Sequence, residues 1–371
     1  KLETSLPLIK AAMESEYTKD DPQTWKLAAD IEYQYYTKIE NESKADPDNN
    51  ELKKKYIETS AKLLSYCIKY DSLLVLDTKM KPEDKDKEHK IYQPKGVNSA
   101  IQLLQAAQNY SNSENQEELK QGAKYAEIFI NAMENSNLMK DFKHAELEGW
   151  KTYSKAFRAQ SYLNIEGTPE ETIVNAYKAL FNTNFKGIAY QSLMNYYREK
   201  DKAKQNLYLQ EGIDALKGDA EQKDLRANFV TILMQNQFQA GDKEGFMKTA
   251  EIMKTEFADD ENAVNAYLME GQFAFEAKDY ETAKKAFLAG SEKYPDDEKC
   301  LLMAARSAWM KAQTTGSKKE DMNEAITLFK KLEAANPESP ELWGESLYVL
   351  YNNTQQPKLA ANYKKYYKSN K

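Results

Sequence analysis

The sequence predicts an all-α protein built from consecutive helix hairpins. Glycine is scarce, with 13 among 371 residues, and apolar residues recur at the 3.6-residue spacing of amphipathic helices. Most prolines fall between the apolar segments, where they end one helix and allow the next to begin. A third observation is an internal repeat of about 34 residues in the last third of the chain, a period typical of stacked helix hairpins.

An opening helix is expected near residues 6–17, with Pro7 in its first turn. Eight helix pairs follow, and their starts are marked by capping residues and by prolines such as Pro22, Pro169 and Pro340. Pro94 is likewise expected between helices. The pairs are predicted at 22–40 and 48–76, 96–110 and 115–134, 140–163 and 168–181, 185–199 and 201–217, 221–240 and 242–257, 261–277 and 279–293, 297–313 and 320–335, and 339–353 and 357–369.

The charges exclude several classes of protein. Lys and Arg number 52 against 59 Asp and Glu, a net charge of −7, and the two signs are interspersed. Nucleic-acid binding is therefore not expected, since it needs basic residues gathered on one face. No segment approaches the ~20 apolar residues that span a bilayer. Between Asp77 and Lys90 the charges alternate in sign, which predicts a solvated loop.

The sequence carries no arrangement of residues that points to catalysis. It has no glycine-rich phosphate loop, no zinc-hydrolase motif and no nucleophile elbow. Cys67 and Cys300 are far apart, with Cys67 expected in the core and Cys300 partly buried. His89 and His144 are expected on the surface. We therefore expect no enzyme activity, no cofactor and no metal site.

The repeat is clearest over residues 264–297, which read VNAYLMEGQFAFEAKDYETAKKAFLAGSEKYPDD. This segment resembles a tetratricopeptide repeat. Its aromatic, small, turn and proline positions match that family, while Glu270 departs from it at a site that is usually apolar. The matching residues are Tyr267, Gly271, Asp279, Tyr280, Ala283, Phe287, Gly290 and Pro295. The resemblance weakens towards the amino terminus.

The resemblance implies a right-handed superhelical α-solenoid with a concave groove lined by the first helix of each pair. We expect residues 140–371 to form this solenoid, with a capping helix at the lysine-rich carboxyl end. Residues 1–139 are expected to hold more degenerate repeats, a long helix and the charged loop. The sequence leaves open whether this part continues the superhelix or forms a separate bundle.

The register of the resembled repeat predicts which side chains face the groove. Amides there could pair with the backbone of an extended peptide, and aromatic rings could hold its apolar side chains. The alternative is that Phe238, Phe275 and Trp309 pack between adjacent helices. Thr231, Leu268 and Leu302 occupy the site of the lysine that clamps carboxyl-terminal peptides in some members, so that mode is not expected. The candidate residues are Gln191, Asn195, Asn228, Thr231, Gln235, Phe238, Asn265, Leu268, Gln272, Phe275, Arg306 and Trp309.

The function expected from these features is a non-enzymatic scaffold that binds a protein or peptide partner. A carbohydrate-binding or nutrient-uptake component of a bacterial cell envelope is the alternative, because aromatic and amide groups also suit sugars. The chain begins with Lys1 rather than Met, which favours an exported, periplasmic or envelope protein over a cytoplasmic one. The sequence identifies neither the partner nor the oligomeric state.

Overall fold

The computed structural model describes residues 2–316 and 318–367, and this part of the chain contains helices and turns but no strand. None of its helices is both long enough and apolar enough to span a membrane. Its seventeen α-helices are α1 (Leu2–Glu14), α2 (Pro22–Ala45), α3 (Asn50–Leu76), α4 (Pro82–Tyr110), α5 (Gln116–Asn135), α6 (Leu147–Asn164), α7 (Glu170–Lys178), α8 (Lys186–Tyr197), α9 (Lys202–Ala215), α10 (Lys223–Gln239), α11 (Lys243–Glu256), α12 (Ala263–Glu276), α13 (Tyr280–Lys293), α14 (Glu298–Thr314), α15 (Lys319–Ala335), α16 (Gly344–Asn353) and α17 (Pro357–Tyr363).

Helices that are adjacent in sequence pack against one another from α1 to α7 and again from α9 to α17. The predicted fold class, an all-α protein of sequential helix hairpins, is therefore confirmed. The chain divides into two compact units, residues 1–193 and residues 194–371, here called unit 1 and unit 2. The domain boundary expected at residue 140 lies inside unit 1. Of the lysines expected to cap the carboxyl end, Lys368 and Lys371 lie outside the described residues.

Unit 1 is built around the long helices α2, α3, α4 and α5. Asn49 and Asn115 cap α3 and α5, accepting hydrogen bonds from the backbone N–H groups of Leu52 and Glu117 at 3.1 and 2.8 Å. The core between these helices is aromatic and aliphatic, and its largest fully buried side chains include Leu63, Leu64, Tyr70, Tyr92, Leu103 and Phe129.

The prediction of a solvated loop over residues 77–90 is wrong for most of that range, because α4 begins at Pro82. Proline suits the first helical position, and Glu83 and Asp84 in the first turn favour the helix dipole. The alternating charges also pair along the helix, as in Lys90 with Asp86 at 2.6 Å. A pattern typical of a loop therefore also fits a helix with one charged face.

The surface position expected for His89 is also wrong. Its side chain is only 19% exposed, and its Nδ1 lies 2.7 Å from Oδ1 of Asp71 on α3. The second carboxylate oxygen of Asp71 accepts a hydrogen bond from the side-chain amide of Asn137 at 2.7 Å. This difference arises because α4 already begins at Pro82, which places His89 on the face of α4 that meets α3. His144, by contrast, is exposed and stacks on Trp150.

Two prolines lie inside helices rather than at their starts. Pro7 is within α1 and Pro94 is within α4. Both are exposed, so solvent can hydrogen-bond the carbonyl oxygen that loses its N–H partner to the proline ring. The expectation that Pro94 separates two helices was therefore wrong, and α4 runs unbroken for 29 residues.

Unit 2 consists of shorter helices in regular hairpins. Asp242 and Asp279 each cap the second helix of a hairpin, accepting hydrogen bonds from the backbone N–H groups of Gly245 and Thr282 at 2.9 and 3.1 Å. Glu270, which departs from the apolar repeat pattern, forms an ion pair with Lys254 of α11. The core of α12 to α17 is rich in alanine, and its buried residues include Ala304, Ala305, Ala308, Phe329, Leu332 and Leu347.

Candidate functional site

The hairpin of α12 and α13 closes tightly because its contact face contains glycine. A Cβ atom on Gly271 would lie 2.4 Å from Cε1 of Phe287, far inside normal contact distance. Only glycine permits this approach. Asp279 fixes the turn through its cap on α13, whose first turn contains Thr282. The ring of Phe287 is therefore held directly against α12.

Helix α14 approaches α13 in a similar way. A Cβ atom on Gly290 would lie 2.7 Å from Sγ of Cys300, so the start of α14 is in close contact with the end of α13. Asp297 caps α14 by accepting a hydrogen bond from the backbone N–H of Lys299 at 2.9 Å. These two contacts fix where α14 begins and therefore where its first side chains lie.

Residues of α10, α12, α13 and α14 line a cleft of about 440 Å³ in unit 2, here called the α12 cleft. This volume falls in the range that accommodates small ligands or one or two side chains. The lining is mainly apolar, with four polar side chains among it. The apolar residues are Phe238, Leu268, Met269, Phe287, Leu302 and Met303, and the polar ones are Asn265, Gln272, Lys299 and Arg306.

The polar groups of the α12 cleft are largely uncommitted. Lys299 and Arg306 are exposed, and neither makes an ion pair within the described residues. The half-buried amide of Asn265 makes no side-chain hydrogen bond in the same part of the chain. Gln272 donates to Oε1 of Glu276 at 2.7 Å, which leaves its carbonyl oxygen free to accept. The cleft thus combines an apolar lining with donors, acceptors and two positive charges.

Several of the residues predicted for the groove meet in this cleft. Phe238, Asn265, Leu268, Gln272 and Arg306 all line it, as does Leu302 from the same predicted register. Phe238 also packs in the core, with its ring centroid 4.8 Å from that of Phe273. This ring therefore takes part in helix packing and also lines the cleft.

The remaining predicted residues lie outside the α12 cleft. Phe275 packs edge-to-face on Tyr280 and Trp309 on Phe329, so both rings contribute to helix packing. Thr231 is buried, and its hydroxyl donates to the carbonyl oxygen of Ala227 at 3.1 Å.

The other amides among the predicted residues are divided between the two units. Asn195 accepts a hydrogen bond from Arg198 at 2.6 Å and is exposed, as is Asn228. Gln235 is half-buried in unit 2, and Gln191 is half-buried in unit 1.

Four residues of the cleft were not predicted, namely Met269, Phe287, Lys299 and Met303. Met269 and Met303 each follow a predicted residue by one position. On α12 and on α14, two adjacent rows of side chains therefore line the cleft, rather than the single row that was predicted. Phe287 reaches it from the second helix because Gly271 leaves no side chain in the way. The pairing of Gly271 with Phe287 in the repeat was the sequence signal for this contact.

An ion network joins α13 and α14, which both line the cleft, to α15. Glu281 lies 2.8 Å from Lys311 and 3.0 Å from Lys284, and Lys284 lies 2.5 Å from Glu324. Hydrogen bonds from Lys311 and then Lys284 lower the pKa of Glu281 to about 2. The network is therefore charged at physiological pH and fixes the register of three consecutive helices.

Neither cysteine is suited to chemistry. Cys67 and Cys300 are fully buried, and burial raises the pKa of each thiol to about 12, so the reactive thiolate is disfavoured. Among the described residues no group of three or more His, Cys, Asp or Glu side chains is placed to hold a metal ion.

No protein-family model matches the chain, and no curated protein matches it. Among solved structures, it is similar to yeast Tom70 at 11% identity, over 98% of this chain and 88% of that one, with a TM-score of 0.31. It is also similar to a circular tandem repeat protein at 12% identity, over 98% and 93% of the two chains, with a TM-score of 0.27. At TM-scores this low, neither similarity bears on function.

Proposed function

We propose that this protein is a non-enzymatic scaffold that binds an extended, acidic segment of a partner protein in the α12 cleft. The observation that carries the proposal is the composition of the cleft, an apolar lining beside polar groups that are free to bind. Apolar side chains of a peptide would be buried against Leu268, Leu302 and Met303, which supplies affinity.

The polar groups give the proposed ligand its chemistry. Asn265 and Gln272 lie on α12 at a spacing of seven residues, two helical turns, so their amides can bond successive parts of an extended backbone. Lys299 and Arg306 have the same spacing on α14 and no ion-pair partner within the described residues. Two unpaired cations beside an apolar surface favour a peptide with carboxylates next to its apolar side chains.

Binding of acidic peptides from a displayed random library tests this proposal. We expect the intact chain to select sequences that combine Asp or Glu with Leu, Met or Phe, and the affinity to fall with rising salt. The double variant Lys299→Glu/Arg306→Glu should weaken the selected peptides by about tenfold or more. Isothermal titration measures both effects.

Two further variants make the test specific. Leu268→Asp, which places a charge in the apolar lining, should abolish binding, whereas Lys331→Glu reverses an exposed charge outside the cleft and should leave binding unchanged. Circular dichroism establishes that each variant is still helical. Selection of peptides whose affinity is the same for all variants would show that binding lies elsewhere.

The carbohydrate alternative is tested in parallel with a glycan array. Its weakness is that Leu and Met, rather than open aromatic faces, supply most of the apolar lining. Location in a bacterial cell envelope is part of the same proposal, and the polar composition of the chain, rich in Tyr, Asn and Lys, supports it. Fractionation of cells that produce the chain tests that location.

A further inference from the structure

One oxygen of a buried carboxylate in unit 1 has no hydrogen-bond partner among the residues that the structure describes. Glu32 lies on α2 and is only 2% exposed, and its Oε1 has no hydrogen-bond partner within the described residues. Buried polar atoms are nearly always hydrogen-bonded, because loss of water without replacement is unfavourable, most of all for a charged group. The groups around Glu32 therefore indicate which kind of ligand could pair with this oxygen.

Glu32 lines a cavity of about 530 Å³ formed by α1, α2 and α3. Helix α1 contributes apolar side chains, including Leu6, Ile9 and Met13, while Tyr35 and Tyr66 come from α2 and α3. A single water needs about 30 Å³, so the cavity is much larger than one bridging water requires. Its size and largely apolar lining are those of a small-molecule site.

The cavity contains other charges, but none in contact with Glu32. Lys10 and Glu14 of α1 are both exposed and lie 3.9 Å from each other. Lys62 of α3 is exposed and makes no ion pair within the described residues. Burial raises the pKa of Glu32 to about 6, and the attraction of Lys62 offsets only part of this rise. At pH 7.5 the site therefore presents a buried negative charge without a contacting cation.

We infer that this cavity binds a small organic ammonium ion, whose nitrogen pairs with the Glu32 carboxylate and whose apolar body contacts the α1 side chains. A cation would pair with the negative charge of the Glu32 carboxylate, whereas a neutral ligand would leave this charge uncompensated. The aromatic rings of Tyr35 and Tyr66 also favour an organic cation over an anion. The site is separate from the α12 cleft and does not depend on the function proposed for it.

Isothermal titration with 2-phenylethylammonium, in an amine-free buffer at pH 7.5, tests the inference. We expect saturable binding at about 1 mM ligand or below. 2-Phenylethanol has the same body without the charge and 3-phenylpropanoate has the opposite charge, so both should bind at least about tenfold more weakly.

Three variants of the full chain test which side chains form the site. Glu32→Gln keeps the shape of the side chain and should weaken ammonium binding by about tenfold or more. Met13→Trp fills the cavity from α1 and should block binding while Glu32 is kept. Glu42→Gln removes an exposed carboxylate of α2 outside the cavity and should leave the affinity unchanged.

The dependence on pH supplies a readout that a structural role alone would not give. Because Glu32 is largely protonated at pH 5, binding by the intact chain should be about tenfold weaker there than at pH 7.5, and Glu32→Gln should lose this difference. No binding of the ammonium probe, equal binding of 2-phenylethanol, or unchanged affinity in both Glu32→Gln and Met13→Trp would overturn the inference.

Discussion

The two units differ in the contacts that join their helices, although each also contains a contact of the other kind, such as Gly96 against Leu138 in unit 1 and Tyr363 with Glu333 in unit 2. In unit 1, long helices are joined by hydroxyl groups that donate to carboxylates, as from Tyr92 to Asp30 at 2.7 Å and from Tyr70 to Glu88 at 2.8 Å. In unit 2, shorter helices approach through small residues, as at Gly271 and Gly290. Directional bonds fix one particular pairing, whereas small-residue contacts can be repeated from hairpin to hairpin.

This difference extends to the two candidate binding sites. The α12 cleft of unit 2 lies between regular helices, with Lys299 and Arg306 exposed beside it. In the cavity of unit 1, the charged group proposed to bind the ligand is Glu32, which is buried, unlike the other charged residues of the lining. The site proposed for a peptide thus lies between regular hairpins, and the site proposed for a small ammonium ion lies between α1, α2 and α3.

The largest expected effect is on the small-residue core of unit 2. Phe287 is 1% exposed and packs against Gly271, so Phe287→Ala leaves a cavity between α12 and α13. We expect the free energy of unfolding to fall by about 3–5 kcal/mol. Chemical denaturation measures the fall, and hydrogen exchange should place the lost protection in α12–α15.

Phe129→Ala in unit 1 is the matched comparison, because Phe129 is also fully buried but belongs to a different core cluster. In the Phe129→Ala variant, the loss of hydrogen-exchange protection should be concentrated in α3–α6. If both variants lost protection over the same helices, the contrast between the two cores would have no energetic meaning.

A smaller effect, of opposite sign, is expected at Glu32. Its pKa in the folded chain, about 6, lies above the ordinary 4.5, so the folded state holds the proton more tightly than the unfolded state. The resulting stability is present below pH 4.5 and is lost as pH rises through 6. Glu32→Gln should therefore raise the free energy of unfolding by about 2 kcal/mol at pH 8.

Thermal and urea unfolding of this variant at pH 8 and pH 4 measure the effect. The gain should disappear at pH 4, where Glu32 is protonated in both states. A Glu32→Gln variant that is equally or less stable than the intact chain at pH 8 would indicate that the carboxylate is compensated.

The smallest effect is expected for a single hydroxyl of unit 1. Tyr92→Phe removes the hydrogen bond to Asp30, which keeps its 3.1 Å contact with Lys95, so a loss of about 1 kcal/mol is expected. Tyr280→Phe in unit 2 is the control, since the Tyr280 hydroxyl makes no hydrogen bond within the described residues. Its stability should be nearly unchanged. Equal losses in the two variants would contradict the distinction drawn between the units.

The sequence predicted unit 2 better than unit 1. Asp279 marks a cap, and Gly271 with Phe287 marks a hairpin contact, so α12 and α13 were expected close to their observed bounds. In unit 1 the same kind of reasoning assigned residues 82–90 to a loop, because charged residues of alternating sign suit a loop and an exposed helical face equally well.

The sequence by itself determined where most helices begin and end and that they follow one another as hairpins. Capping side chains, prolines and the 3.6-residue spacing act within a few residues, so they can be recognised locally. Only the tertiary structure decided that His89 meets Asp71, that Oε1 of Glu32 meets no hydrogen-bond partner in the part of the chain the structure describes, and that Lys299 lies beside the α12 cleft. These outcomes depend on the distance and rotation between packed helices, which no short stretch of sequence specifies.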